Sequence, residues 1–263
     1  MSDMKKISKI QAIFILLMTS FITEAQIQNP RRLAPSSLEP ELWKMRRYEL
    51  VAGLGITQFF GDIGGYSIGE NAFGFKDLSF HHTRFNMMAA LKYRITNSFT
   101  ARLNLAGGFF HATDARGSNV ARGFESSTAF FESSLLGEYY FIRSKRESSY
   151  IFLKGKRIVL LPLLSTMNLY AFGGIGGLAY SVNNQNIDSP TGKTKPGGFT
   201  AVIPAGVGVS MAYSARMNFG VELGGRYSFS DYIDGYTSIY SKANDVYYFL
   251  TFTLSVKLPT VPK

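Results

Sequence analysis

From Thr83 to Thr96 the chain alternates without a break. Phe85, Met87, Ala89, Leu91, Tyr93 and Ile95 fall on one row, and Arg84, Asn86, Met88, Ala90, Lys92 and Arg94 on the other. A period of two is the period of a strand with unlike faces. The run is long for a globular strand and close to the roughly 9–11 residues that a tilted strand needs to cross a bilayer. Beyond residue 25 no apolar run approaches the length of a spanning helix. A chain that meets lipid with strands must close them into a barrel, because an open sheet edge has no water to satisfy it.

Seven more segments fit the same template. They are Tyr48–Phe60, a run from Phe99 to Phe109, Ser127–Ile142, the stretch around residues 169–182, Phe199–Tyr213, Met217–Phe229 and Asp245–Leu258. Tight turns are expected at Asn97-Ser98 and Ala215-Arg216, and long loops alternate with them. Short turns at one end and long loops at the other are the habit of outer-membrane barrels. The expected fold is therefore all-β, a transmembrane antiparallel up-and-down barrel of eight strands. An even strand count places both termini on one side, expected to be periplasmic.

The stretch AFGGIGGLAY, residues 171–180, invites another reading, as a dinucleotide-binding loop. That loop needs a helix after its glycines and an acidic residue about 20 positions on. Here the glycines sit inside an alternating run, and NNQNIDSPTGKTKPGG follows, which is turn chemistry. Glycine is expected here to let strands coil tightly and to leave room for bulky neighbours in a narrow lumen.

The N-terminus reads as a secretory signal. Lys5, Lys6 and Lys9 precede an apolar core from Ile10 to Ile22, and Thr23-Glu24-Ala25 offers a cleavage site. Residues 1–25 are read as a cleaved signal peptide, 26–47 as a periplasmic leader containing Trp43, and 48–263 as the barrel. The absence of cysteine excludes disulfides, thiolate metal sites and a lipidated N-terminal cysteine.

The connection at 143–168 is the irregular one. It carries Arg143, Lys145, Arg146, Lys154, Lys156 and Arg157, then an apolar run broken by Pro162. It reads as a basic periplasmic extension of two strands. The alternative is a further spanning hairpin and ten strands. The net charge of +10 draws much from this segment and the leader, with no nucleic-acid motif beside it. Anionic headgroups or an acidic periplasmic partner are the expected targets, with Trp43 and these cations as the partner-facing residues.

Charged residues also fall on inward rows: Lys92, Arg94, Arg102, Glu132, Glu138, Glu222 and Arg226. An eight-stranded lumen is filled by its own side chains, so these are expected to pair as a packed ion network rather than to line an ion path. His81, His82 and His111 fall near one rim, close in sequence to Asp77 and Asp114. No local motif orders serines and histidines into a catalytic set. The chain is expected to be non-catalytic and to hold no cofactor or metal.

Three stretches carry a resemblance. YELVAGLGITQFFGDIGG (48–65), RGFESSTAFFESSLLGEYYFI (122–142) and LYAFGGIGGLAYSV (169–182) resemble the PorG-like small outer-membrane barrels of Bacteroidota, components of the type IX secretion system. FFGDIGG and RGF are the most specific pieces. The resemblance implies an eight-stranded barrel that is not the protein-conducting pore. It also implies association with the periplasmic ring of PorK and PorN, with the 143–168 connection facing that ring.

Overall fold

A computed structural model describes residues 46–63, 82–115, 120–144, 167–185, 192–214, 216–238 and 244–259. Ten strands are present among them: β1 (Tyr48–Phe60), β2 (Arg84–Arg94), β3 (Phe99–Thr113), β4 (Glu125–Ile142), β5 (Met167–Gln185), β6 (Gly192–Thr194), β7 (Gly197–Ala212), β8 (Met217–Ser228), β9 (Tyr236–Ser238) and β10 (Val246–Leu258). Eight of them close a barrel in the order β1-β10-β8-β7-β5-β4-β3-β2, and β6 pairs with β9 in a small separate sheet. Every barrel pair is antiparallel. Closure is made by the first and last strands, from Tyr48↔Leu258 to Phe60↔Val246.

The ten-stranded alternative is excluded. β4 and β5 pair directly from Glu125↔Gln185 down to Ile142↔Leu169, which leaves no place between them for two more strands. A register shift between Tyr140 and Ile142 ends that ladder at the irregular connection, and residues 145–166 lie outside the described residues. The signal peptide and Trp43 also lie outside them.

Alternation decides which face each side chain takes. On β2, Phe85 and Met87 are exposed while Asn86 and Met88 are buried; on β4, Phe131 and Leu135 are exposed while Glu132, Ser134 and Glu138 are buried. Large apolar side chains thus lie outside and polar ones inside, the inverse of a soluble barrel. Aromatic residues edge the outer band at both ends. Tyr48 meets Tyr93, Tyr139 meets Phe141 and Tyr213 meets Phe219 at the short-turn end. Phe60 meets Tyr248 and Tyr227 meets Phe229 at the loop end. An apolar belt between two aromatic girdles is the surface of a membrane-spanning barrel.

Pro204 sits inside β7, where periodicity does not single it out. It has no N–H to give, and the β5–β7 ladder lapses between Gly173↔Ala205 and Gly176↔Val202. The glycines around it make room. A Cβ on Gly208 would lie 2.4 Å from Cζ of Tyr170, and one on Gly206 would lie 2.5 Å from Cζ of Phe172. Two small residues on β7 thereby admit two large rings from β5. Gly208→Leu is expected to force Tyr170 from its place and lower stability by about 1–3 kcal/mol. The urea midpoint of the refolded barrel measures it.

Candidate functional site

The lumen is filled in layers among the described residues. Its middle holds two charge clusters. In the first, Lys92 Nζ lies 2.8 Å from Glu138 Oε1 and 3.8 Å from Glu222 Oε1. Arg102 Nη1 donates to Glu138 Oε1 at 3.1 Å and to both Glu222 oxygens at 2.8 and 2.9 Å. Two tyrosines complete the shell: Tyr170 donates to Glu222 Oε1 at 2.6 Å, and Tyr140 to Glu138 Oε2 at 2.9 Å. In the second, Arg226 Nε lies 3.6 Å from Glu132 Oε2, which also accepts from Tyr247 at 2.9 Å. Arg102 donates to Asn104, Asn104 to Ser134 and Ser134 to Glu132, so one polar chain links both clusters.

The charges cancel. Lys92 and Arg102 face Glu138 and Glu222, and Arg226 faces Glu132. Glu132 and Glu138 are fully buried. Buried charges held this way cannot move without leaving an unpaired partner, which costs several kcal/mol. Among the described residues the two clusters form a neutral network across the lumen, the plug, with three cations against three carboxylates.

Arg94 lines the cavity below the plug, beside Lys92 and Tyr170. It ends β2 one step beyond Tyr93, and its side chain bonds Asn97 in the turn. A long cationic side chain at a strand end reaches outward to water. Arg143 lies at the same end, donating to the Asn97 carbonyl at 2.8 Å with its guanidinium 3.9 Å over the Tyr140 ring. Both line a polar cavity of about 50 Å³ together with Glu49, Asn218 and Ser255. That holds a few waters at most, given the roughly 10–15 Å³ each requires. Lys145, Arg146, Lys154, Lys156 and Arg157 lie outside the described residues.

Above the charges lies an aromatic layer that composition alone does not locate. Phe110 stacks on Phe130 at 4.1 Å, and Tyr247, Phe249 and Phe59 pack around them. Arg226 lies 4.0 Å over Phe249, joining this layer to the plug.

The loop end carries a cap. Arg122 clasps Asp114 through Nε and Nη2, at 2.6 and 3.0 Å, and donates to the Asp62 carbonyl at 2.7 Å. FFGDIGG and RGF, far apart in sequence, therefore meet at one guanidinium. Asp234 accepts from the backbone N–H of Ile63 and of Tyr236, each at 3.1 Å. Asp245 accepts from Ile233 N–H at 2.8 Å, and Thr128 donates to the Ile233 carbonyl. Ile63, Ile233 and Tyr236 are buried beneath this lattice. Gly235, at φ 78°, makes the turn between Asp234 and Tyr236. Burial, with Asp62 and Asp231 nearby, pushes the Asp234 carboxyl up to about 7. Burial and the charge of Asp234 raise Asp245 well above the carboxylate range.

Of the three histidines, His82 and His111 lie edge to face at 6.4 Å, and His81 is outside the described residues. No group of three or more metal-ligating side chains exists among the described residues.

Residues 160–256 match a family model. It is described as Domain of unknown function (DUF6089). The match spans β5 to most of β10. A search of the curated proteins found no match. Among solved structures, the chain is similar to Neisserial surface protein A at 12% identity, covering 80% of this chain and 97% of that one, with a TM-score of 0.41. A major outer membrane protein from Thermus thermophilus matches at 11% identity, with 80% and 99% covered and a TM-score of 0.41. The outer membrane protein OprG from Pseudomonas aeruginosa matches at 8% identity, with 82% and 98% covered and a TM-score of 0.38.

Proposed function

We propose that the chain is a plugged outer-membrane barrel that anchors or presents other parts rather than conducting solute. The observation that carries this is the neutral network across the lumen, Lys92–Glu138–Arg102–Glu222 with Arg226–Glu132, backed by the Phe110–Phe130 stack. With the lumen filled, function falls to the two ends and the lipid-facing wall. Both chain ends leave from the short-turn end, which is the periplasmic side in this reading. That end is basic: Arg46, Arg47, Arg94, Arg143, Arg216 and Lys257 stand there beside Glu49.

The more specific form of the proposal is an accessory role in type IX secretion, with the periplasmic ring proteins PorK and PorN as partners. The three resembling stretches support it, and so does the basic 143–168 connection leaving from the periplasmic end in this reading. Anionic headgroups and outer-membrane lipids are the remaining contacts.

Two measurements test the reading. In planar bilayers the purified barrel is expected to give no steady conductance; ohmic openings would refute the plug. Affinity purification from native membranes is expected to recover ring components, and their repeated absence would remove the secretion role while leaving the plug intact.

A further inference from the structure

The outer wall of the barrel holds a polar group where the apolar band ends. β3 and β4 pair in the register Phe109↔Ala129, His111↔Ser127 and Thr113↔Glu125, and these odd-numbered residues share the lipid-facing side. Phe109 and Phe131 on this face are 56% and 53% exposed. Ser127 lies two residues beyond Ala129, toward the loops. On that wall His111 Nδ1 lies 3.2 Å from Ser127 Oγ, and His111 Nε2 lies 3.6 Å from Glu125 Oε1. The imidazole is buried, whereas Ser127 is exposed.

We infer that Ser127, His111 and Glu125 form a lipid-facing acyl-ester hydrolase site at the boundary between the apolar band and the headgroup region. This goes beyond the anchoring role, which asks no chemistry of the wall. The order of groups is that of a nucleophile, a base and an orienting acid, and such sets are recognised by geometry, not by sequence position. Glu125 favours the tautomer with its proton on Nε2. That leaves the Nδ1 lone pair facing the Ser127 hydroxyl. The looser 3.6 Å contact is within what free enzymes show before substrate tightens the site. Register explains why no motif announces the set: two strands bring together residues 16 positions apart, and the acid lies diagonally across the pair.

The location selects the substrate class. Membrane-lipid acyl esters lie at the junction of headgroup and chain, and this wall presents Ser127 beside exposed phenylalanines at that junction. In the first step Ser127 Oγ bonds to the ester carbonyl carbon and its proton passes to His111 Nδ1. The tetrahedral adduct then breaks its bond to the alkoxy oxygen, which leaves as the alcohol with the proton from Nδ1. Water adds to the acyl-serine, giving a proton to Nδ1. The fatty acid departs as Ser127 takes that proton back.

The test uses the full chain refolded into vesicles, with fatty-acid release followed by mass spectrometry. One arm contains phosphatidylethanolamine and phosphatidylglycerol, and the other contains lipid A. Release in either arm is expected to fall at least about 100-fold in Ser127→Ala and in His111→Asn, and several-fold in Glu125→Gln. Which arm responds names the lipid. Unheated gel mobility confirms that each variant is folded. An alkyl fluorophosphonate, used as a second probe, should label Ser127 in the wild type and not in folded His111→Asn. No release from either lipid by folded wild type, or release that survives Ser127→Ala, overturns the assignment. Neither outcome touches the plug, which bilayer conductance reads separately.

Discussion

Arg102→Met is expected to destabilise the barrel by about 3–5 kcal/mol, the range for breaking a buried charge set on one side. Arg102 holds both Glu138 and Glu222, and its side chain is 1% exposed. Removing it leaves two buried carboxylates sharing Lys92, and Tyr140 and Tyr170 cannot supply the missing charge. The urea midpoint of the refolded protein reads the loss. A second change separates charge from packing. Arg102→Met with Glu222→Gln restores a one-to-one count, Lys92 against Glu138, and is expected to recover much of the loss. If the double variant is as unstable as the sum of the singles, the network is not a coupled unit.

The cap supplies the second large effect, and it depends on pH. Asp234 is raised from 3.8 to about 7 and Asp245 moves the same way, chiefly because both are buried. A raised carboxyl stabilises the fold while it is neutral. Its contribution is full below about pH 4, the unfolded value, and is lost as pH climbs through about 7. The groups facing the pair are Asp62 and Asp231, with Arg122 committed to Asp114. Between pH 5 and pH 8 the cap is expected to lose about 1–3 kcal/mol, at no more than about 1.4 kcal/mol per pH unit per group. Hydrogen exchange at Ile63, Ile233 and Tyr236 should speed up over that range. Asp234→Asn with Asp245→Asn keeps the acceptors and removes the ionisation, so its profile should be flat. An unchanged slope in that variant would contradict the assignment.

The barrel is legible in the sequence because lipid enforces a simple rule on every strand. Phe85 to Tyr93 alternates so cleanly that face, length and neighbours follow from spacing, and β1 is bounded at Tyr48 and Phe60 on the same grounds. The inward charges are legible for the same reason. Alternation also turns Arg94 inward, to the cavity beside Lys92, but says nothing of its bond to Asn97 in the turn, because spacing gives a direction for Cβ and not where a long side chain ends. The cap is hidden because Asp62, Asp114, Asp234 and Asp245 come from three loops, and loops have no period. Ser127 and His111 are each visible, but their meeting depends on the β3–β4 register, which no single strand encodes. The tyrosines that satisfy Glu138 and Glu222 count only as bulk in a strand pattern; their hydroxyls matter as much as their rings.

The whole account rests on a barrel zipped shut between β1 and β10 in lipid. The chain has no cysteine, so introduced pairs report cleanly. In lipid vesicles, Leu54→Cys with Phe252→Cys places two thiols on directly paired, outward-facing positions. Leu54→Cys with Ile175→Cys places them on β1 and β5, which are four strands apart in either direction around the barrel. A short bismaleimide is expected to link the first pair within a single chain and to leave the second unlinked. Equal linking of both pairs, or none in the first, would contradict the closed barrel.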